Sequence, residues 1–151
     1  LVPALYMFRV IESQTNHEYL PYYGLLIAAF SAIRLAKFNI DTRQSDQFIG
    51  LPTPANSILI TSLAFLPGGW HLSLVASLIV ITLSSLMLVA NVPMTALKFK
   101  SFGWKGNELR YLLIISILTL GVIFSINALP FIIPLYIVLS VAGNLVQSKQ
   151  V

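Results

Sequence analysis

Charge is scarce in this sequence. Asp, Glu, Lys and Arg make up 9% of its 151 residues, against roughly 25% in ordinary soluble domains. With 57% hydrophobic residues, a soluble fold would have too little polar side chain to cover its surface. Cysteine is absent, so zinc spacings built on it are excluded and the redox compartment stays unread. His17 and His71 are the two histidines. Neither has an Asp or a second His at ligand spacing, so neither is assigned a metal. There is no nucleophile elbow and no phosphate-cradling glycine loop. No basic start followed by a short apolar run and a cleavage site is visible.

What the chain does have is long apolar runs punctuated by proline and glycine. A crossing helix needs about 20 apolar residues. The runs predict an all-α, polytopic membrane helical bundle, with about five full spans plus the end of a sixth, in one domain. Leu1 to Ile11 is too short to cross alone and reads as the second half of a span, so the natural start is expected upstream. Tyr19 to about Phe38 is the first full span. Pro21 sits in its first turn, where a missing N–H costs nothing, and Tyr19, Tyr22 and Tyr23 cluster at headgroup level. Ala28, Ala32 and Ala36 share a face expected to admit a neighbouring helix. Pro52 or Pro54 opens the second span, which runs to about Leu66. Leu72 to Val92 is the third, with Pro93 kinking or ending it. Tyr111 to Ile126 and Phe131 to Val146 are the fourth and fifth, joined by a tight turn at Asn127-Ala128-Leu129-Pro130.

The basic residues sort to one side of this arrangement. Arg34, Lys37, Arg43, Lys98, Lys100, Lys105, Arg110 and Lys149 follow alternate spans, and only Arg9 falls toward the other side. The positive-inside rule then turns the basic loops to the cytoplasm. The net charge of +4 describes a face suited to anionic headgroups, with no nucleic acid implied.

Arg34 to Ser57 is the long polar segment between two apolar ones. Arg34 and Lys37 lie three apart at a helix end and share a face, and Arg43 follows. A guanidinium can bind two phosphate oxygens, whereas an ammonium acts as a point charge. Spacing alone favours a plainer reading, in which these residues set topology and interact with a helix C-terminus. Lys98, Lys100 and Lys105, interleaved with Phe99, Phe102 and Trp104, read as an interfacial anchor. Asp41 and Asp46 are a weak metal signal, with local salt bridges the better account. Asn56-Ser57 and Asn91 read as residues that cap or bridge helices. On residues alone, a lipid enzyme and a transporter subunit remain equally open.

Two blocks carry a resemblance: Arg34-Leu35-Ala36-Lys37-Phe38-Asn39-Ile40-Asp41-Thr42-Arg43, and Phe48-Ile49-Gly50-Leu51-Pro52-Thr53-Pro54-Ala55. At this spacing the chain resembles the bacterial CDP-diacylglycerol–serine O-phosphatidyltransferases, or phosphatidylserine synthases, of the CDP-alcohol phosphatidyltransferase superfamily. Leu86 to Pro93 looks like a later helix ending of that family. The acidic signature of the superfamily, Asp-Gly-x-x-Ala-Arg with later aspartates, is absent and is expected upstream of Leu1.

The resemblance implies that residues 1–151 are the C-terminal part of the membrane domain and inactive alone, with no catalytic or metal residue of their own. It implies transfer of a phosphatidyl group from CDP-diacylglycerol to L-serine, with magnesium or manganese held elsewhere in the complete enzyme. It also implies a homodimer in the bacterial cytoplasmic membrane. Arg34, Lys37 and Arg43 would bind phosphate or the serine carboxylate, and Asn39 and Thr53 would add hydrogen bonds. The alternatives are a sister transferase using another alcohol and a non-enzymatic membrane protein.

Overall fold

The computed structural model describes residues 1–40, 48–66, 72–94, 103 and 107–148. Helix α1 spans Val2–Glu12. A 3-10 turn over Leu20–Leu25 leads directly into α2, Leu26–Ile40. Helix α3, Thr53–Ser62, is extended by a second 3-10 turn at Leu63–Phe65. Helix α4 covers Leu74–Val89 and α5 covers Glu108–Phe124. A 3-10 turn at Ser125–Ala128 leads into α6, Leu129–Ser148. The expected all-α class is met with one small addition. The two-residue strands β1, Phe48–Ile49, and β2, Pro93–Met94, pair antiparallel, with Phe48 opposite Met94 and Ile49 opposite Pro93.

Local chemistry accounts for several boundaries. Pro21 lies in the first turn of Leu20–Leu25. Pro52 is the N-cap of α3, where an absent N–H is harmless. The Ser73 hydroxyl accepts from the Ala76 amide and caps α4. Helix α4 ends at Val89, earlier than its apolar run suggests, because the chain turns into β2 instead of continuing helically through Pro93. Leu129 and Pro130 already belong to α6, so the break before it sits at Ser125–Ala128, where Ser125 takes φ +50°.

Two segments are long and apolar enough to cross a membrane, Leu20–Ile40 with 21 residues and Arg110–Gly143 with 34. Their apolar side chains are largely uncovered: Ile33, Leu118 and Val122 are 48%, 63% and 84% exposed. Water would oppose that much exposed hydrocarbon, and lipid would not. Helix α4, with 16 residues, and α3, with 10, are shorter than a full crossing needs. Among the described residues, these two segments have the length and composition to cross a membrane, and the second contains the break at Ser125–Ala128 between α5 and α6.

Packing divides into two cores. Ala4, Met7 and Ile11 of α1 meet Ile27, Ile60 and Ile81 in the first. Leu51, Met94, Leu113, Ile133 and Tyr136 form the second, drawing β2, α5 and α6 to the loop before α3. Gly24 is the close-approach point of the first: a Cβ there would stand 2.7 Å from the Phe8 amide nitrogen. Phe8 and Tyr22 also meet edge to face, with ring centres 5.3 Å apart. The small face behaves differently from expectation. Ala28 packs against the first core, but Ala32 and Ala36 are exposed, and the tight contact with α1 falls on Gly24 instead.

Candidate functional site

The two sequence blocks meet physically. Gly50 donates its amide to the Val92 carbonyl, and Leu51 donates to Met87, both at 2.8 Å. These bonds lay the chain before α3 across the C-terminal end of α4. Gly50 adopts φ +77°, and a Cβ there would come within 2.8 Å of the Leu88 carbonyl oxygen and 2.9 Å of that of Ala90. Both the backbone angle and the space require glycine.

The end of α2 closes onto this junction. Arg34 is 8% exposed, and its Nε donates to the Leu51 carbonyl at 2.6 Å. Its Nη2 is buried without a hydrogen-bond partner among the described residues. Tyr136 of α6 belongs to the same buried core as Leu51. A buried guanidinium arm left unpaired is costly. Lys37, one turn on, is exposed and donates through Nζ to the Val89 carbonyl at 3.0 Å. Val89 is the last residue of α4, where carbonyls lack helical partners. Lys37 thus caps a helix other than its own.

The start of α3 faces the same junction in sequence, two residues beyond Leu51. Pro52 offers no side-chain cap, so the first-turn amides of Thr53 and Ala55 keep the partial positive charge of a helix N-terminus. Thr53 is half-buried at this position. Asn56 is 1% exposed, and its Oδ1 is buried without a partner among the described residues.

The site residues expected from sequence divide accordingly. Arg34 and Lys37 converge on the Leu51–Val89 junction, with Thr53 next to it in the chain. Asn39 is exposed in the last turn of α2. Arg43, with Asp41 and Asp46, lies outside the described residues, as do His71 and the lysines at 98, 100 and 105. Tyr136 carried no sequence signal beyond an aromatic in an apolar run. Asn56 reads in sequence as a residue that caps or bridges helices, and its burial is not legible there. Among the described residues there is no group of three or more His, Cys, Asp or Glu able to hold a metal ion.

An apolar groove of about 410 Å³ lies beside the junction, between α3, α4 and α6. Leu51 and Met87 line one end, and Leu63 and Pro130 line the other.

No family model matches the chain. Two curated proteins do. The CDP-diacylglycerol–serine O-phosphatidyltransferase of Helicobacter pylori strain 26695 is 33% identical over 121 residues, covering 75% of this chain and 48% of the relative. Its counterpart in strain J99 is 31% identical over 147 residues, covering 87% of this chain and 60% of the relative. The chain therefore spans about half to three fifths of the length of the relatives it matches. In sequence, the chain is similar to these two CDP-diacylglycerol–serine O-phosphatidyltransferases over the residues aligned.

Proposed function

We propose that this chain forms part of an enzyme of phospholipid biosynthesis that transfers a phosphatidyl group from CDP-diacylglycerol to L-serine. The serine hydroxyl loses its proton and attacks the lipid-proximal phosphorus. The bond from that phosphorus to the CMP oxygen breaks, giving phosphatidylserine and CMP. The observation that carries the reading is the buried Arg34, held by Leu51 through Nε and unpaired at Nη2. A substrate phosphate or the serine carboxylate would satisfy that arm, and the uncapped start of α3 would add to the attraction. The two named relatives supply the reaction.

The described residues do not fit a divalent metal. Magnesium or manganese belongs to the proposal only with ligands outside them, on the acidic signature proposed to lie upstream, and no step here is routed through it. The same proposal holds the chain as a bundle of five full spans plus the end of a sixth, a homodimer in the bacterial cytoplasmic membrane. Its basic loops face the cytoplasm. The hydrogen bonds joining the end of α2, the start of α3 and the end of α4 support alternate span ends on one side.

The test is CMP release by the complete protein in mixed micelles with CDP-diacylglycerol and manganese. Serine-dependent release is expected. Release dependent on glycerol 3-phosphate or inositol phosphate would assign a sister transferase, and no release with any alcohol would favour a non-enzymatic role.

A further inference from the structure

We infer that Asn56 and Ser85 select the acceptor by its ammonium group, beside an Arg34 that takes its carboxylate. This rests on serine being the acceptor. The placement follows from helix periodicity, since residues four or seven apart share a helix face. The buried residues of α2 are Ile27 and Arg34, seven apart. Asn56 and Ile60 are buried four apart on α3, and Ile81 and Ser85 four apart on α4. Ile27, Ile60 and Ile81 pack in one core. The three inward stripes therefore lead from that core to Arg34, Asn56 and Ser85.

They lead to the same end of it. Leu51 donates its amide to Met87, two residues past Ser85, and its carbonyl holds Arg34 Nε. The Asn56 amide donates to the Pro52 carbonyl at 3.0 Å, so Asn56 stands one turn into α3 from that junction. A four-residue step along a helix advances roughly 6 Å. Asn56 and Ser85 thus each lie one such step from the isoleucine core, on the side that Arg34 closes.

Arg34, Asn56 and Ser85 are 8%, 1% and 2% exposed. Each keeps one buried atom without a hydrogen-bond partner among the described residues: Nη2, Oδ1 and Oγ. Their chemistry differs. A guanidinium only donates, an amide oxygen only accepts, and a hydroxyl does both. One ligand satisfies all three only if it brings an acidic oxygen and a donor close together. An α-amino acid does so, with carboxylate and ammonium on one carbon. A phosphate dianion has no donor, and would set its oxygens against that of Asn56. A site built to hydrogen-bond a donor rejects an analogue that lacks it. Held by these groups, serine keeps its hydroxyl free for the phosphorus. Ser77 supplies a control. Its hydroxyl is also buried and unpaired among the described residues, but it precedes Ile81 by four residues and so lies on the opposite side of the core.

The experiment titrates the complete protein in nanodiscs by ligand-observed NMR. The ligands are L-serine, 3-hydroxypropionate, which lacks the ammonium, and ethanolamine, which lacks the carboxylate. L-Serine should bind most tightly. Asn56→Leu should weaken it roughly 10- to 150-fold, the worth of a hydrogen bond to a charged group, and leave 3-hydroxypropionate nearly unchanged. Ser85→Ala should act in the same direction, and Ser77→Ala should alter neither ligand. Arg34→Gln should weaken 3-hydroxypropionate and not ethanolamine. Asn56→Leu also removes a buried unpaired acceptor, so its Tm should hold or rise.

Equal affinity of the unaltered protein for L-serine and 3-hydroxypropionate overturns the proposal, as does an Asn56→Leu that weakens both alike. A lowered Tm in Asn56→Leu with L-serine affinity intact makes Asn56 a packing residue and overturns it too. CMP release is measured separately. Serine binding that depends on Asn56 without CMP release counts against the transfer and not against this site. Serine-dependent release with a serine KM unmoved by Asn56→Leu counts against the site and not against the transfer.

Discussion

Arg34 Nε and the Leu51 carbonyl oxygen stand 2.6 Å apart, across 17 residues of sequence and at the point where two blocks of the chain interlock. The bond fixes one edge of a guanidinium whose other arm has no hydrogen-bond partner among the described residues. It also holds the strand that turns through Gly50 against the end of α4. The candidate ligand site and the fold therefore share one side chain, and variants have to be read for both effects.

Gly50 should tolerate no side chain. In Gly50→Ala an L-residue would occupy φ +77° with its Cβ 2.8 Å from the Leu88 carbonyl oxygen. The left-handed backbone alone costs about 1–2 kcal/mol, and the contact with backbone oxygens adds to it. Thermal unfolding in detergent should show a clear fall in Tm. Gly121→Ala is the control: a Cβ at Gly121, within α5, meets nothing within 4 Å. Relief of helix-interior glycine should give about 0.5–1 kcal/mol of added stability, so a lowered Tm there would contradict the placement of α5.

Lys37 should prove a modest structural residue. Its ammonium meets the last carbonyl of α4 at the surface, an interaction of about 0.3–1 kcal/mol. Lys37→Met is expected to lower Tm slightly, with the difference shrinking at high salt. A large loss of kcat/KM with Tm intact would instead place Lys37 on the substrate.

Arg43 lies outside the described residues, and its expected role comes from the sequence block it closes. If its guanidinium binds a substrate anion, Arg43→Ala removes a hydrogen bond to a charged group, about 1.5–3 kcal/mol. That corresponds to a fall in kcat/KM of roughly 10- to 150-fold, with Tm unchanged and only partial recovery in Arg43→Lys. Full activity with lowered Tm would make Arg43 a partner of Asp41 or Asp46.

Much of the helical layout was legible because membrane helices announce themselves by apolar length and proline placement. Pro21 and Pro52 stand where the sequence put them. The β1–β2 pair was not legible. Each strand has two residues, too few for an alternating pattern, and one contains Pro93, which reads as a helix stop. Arg34 shows the same limit at the site. Its spacing to Lys37 suggested a shared basic face, yet one residue is buried on Leu51 and the other caps α4. That division depends on a carbonyl 17 positions away and on the close approach that Gly50 permits, and neither is a local property of sequence. Helix α4 ends short of its expected span for a similar reason: the chain from Ala90 to Val92 leads into β2 instead of continuing the helix.

The central claim is that the unpaired arm of Arg34 serves a substrate anion. The most direct measurement is kcat/KM for CDP-diacylglycerol in the complete protein carrying Arg34→Lys, with Tm taken on the same preparation. A lysine has a single nitrogen and cannot hold the Leu51 carbonyl and a substrate oxygen in the forked geometry of a guanidinium. The account predicts that Tm recovers well above that of Arg34→Ala while kcat/KM stays at least roughly tenfold below the unaltered protein. Unaltered kcat/KM in Arg34→Lys would contradict it and leave Arg34 as a tether for Leu51 alone.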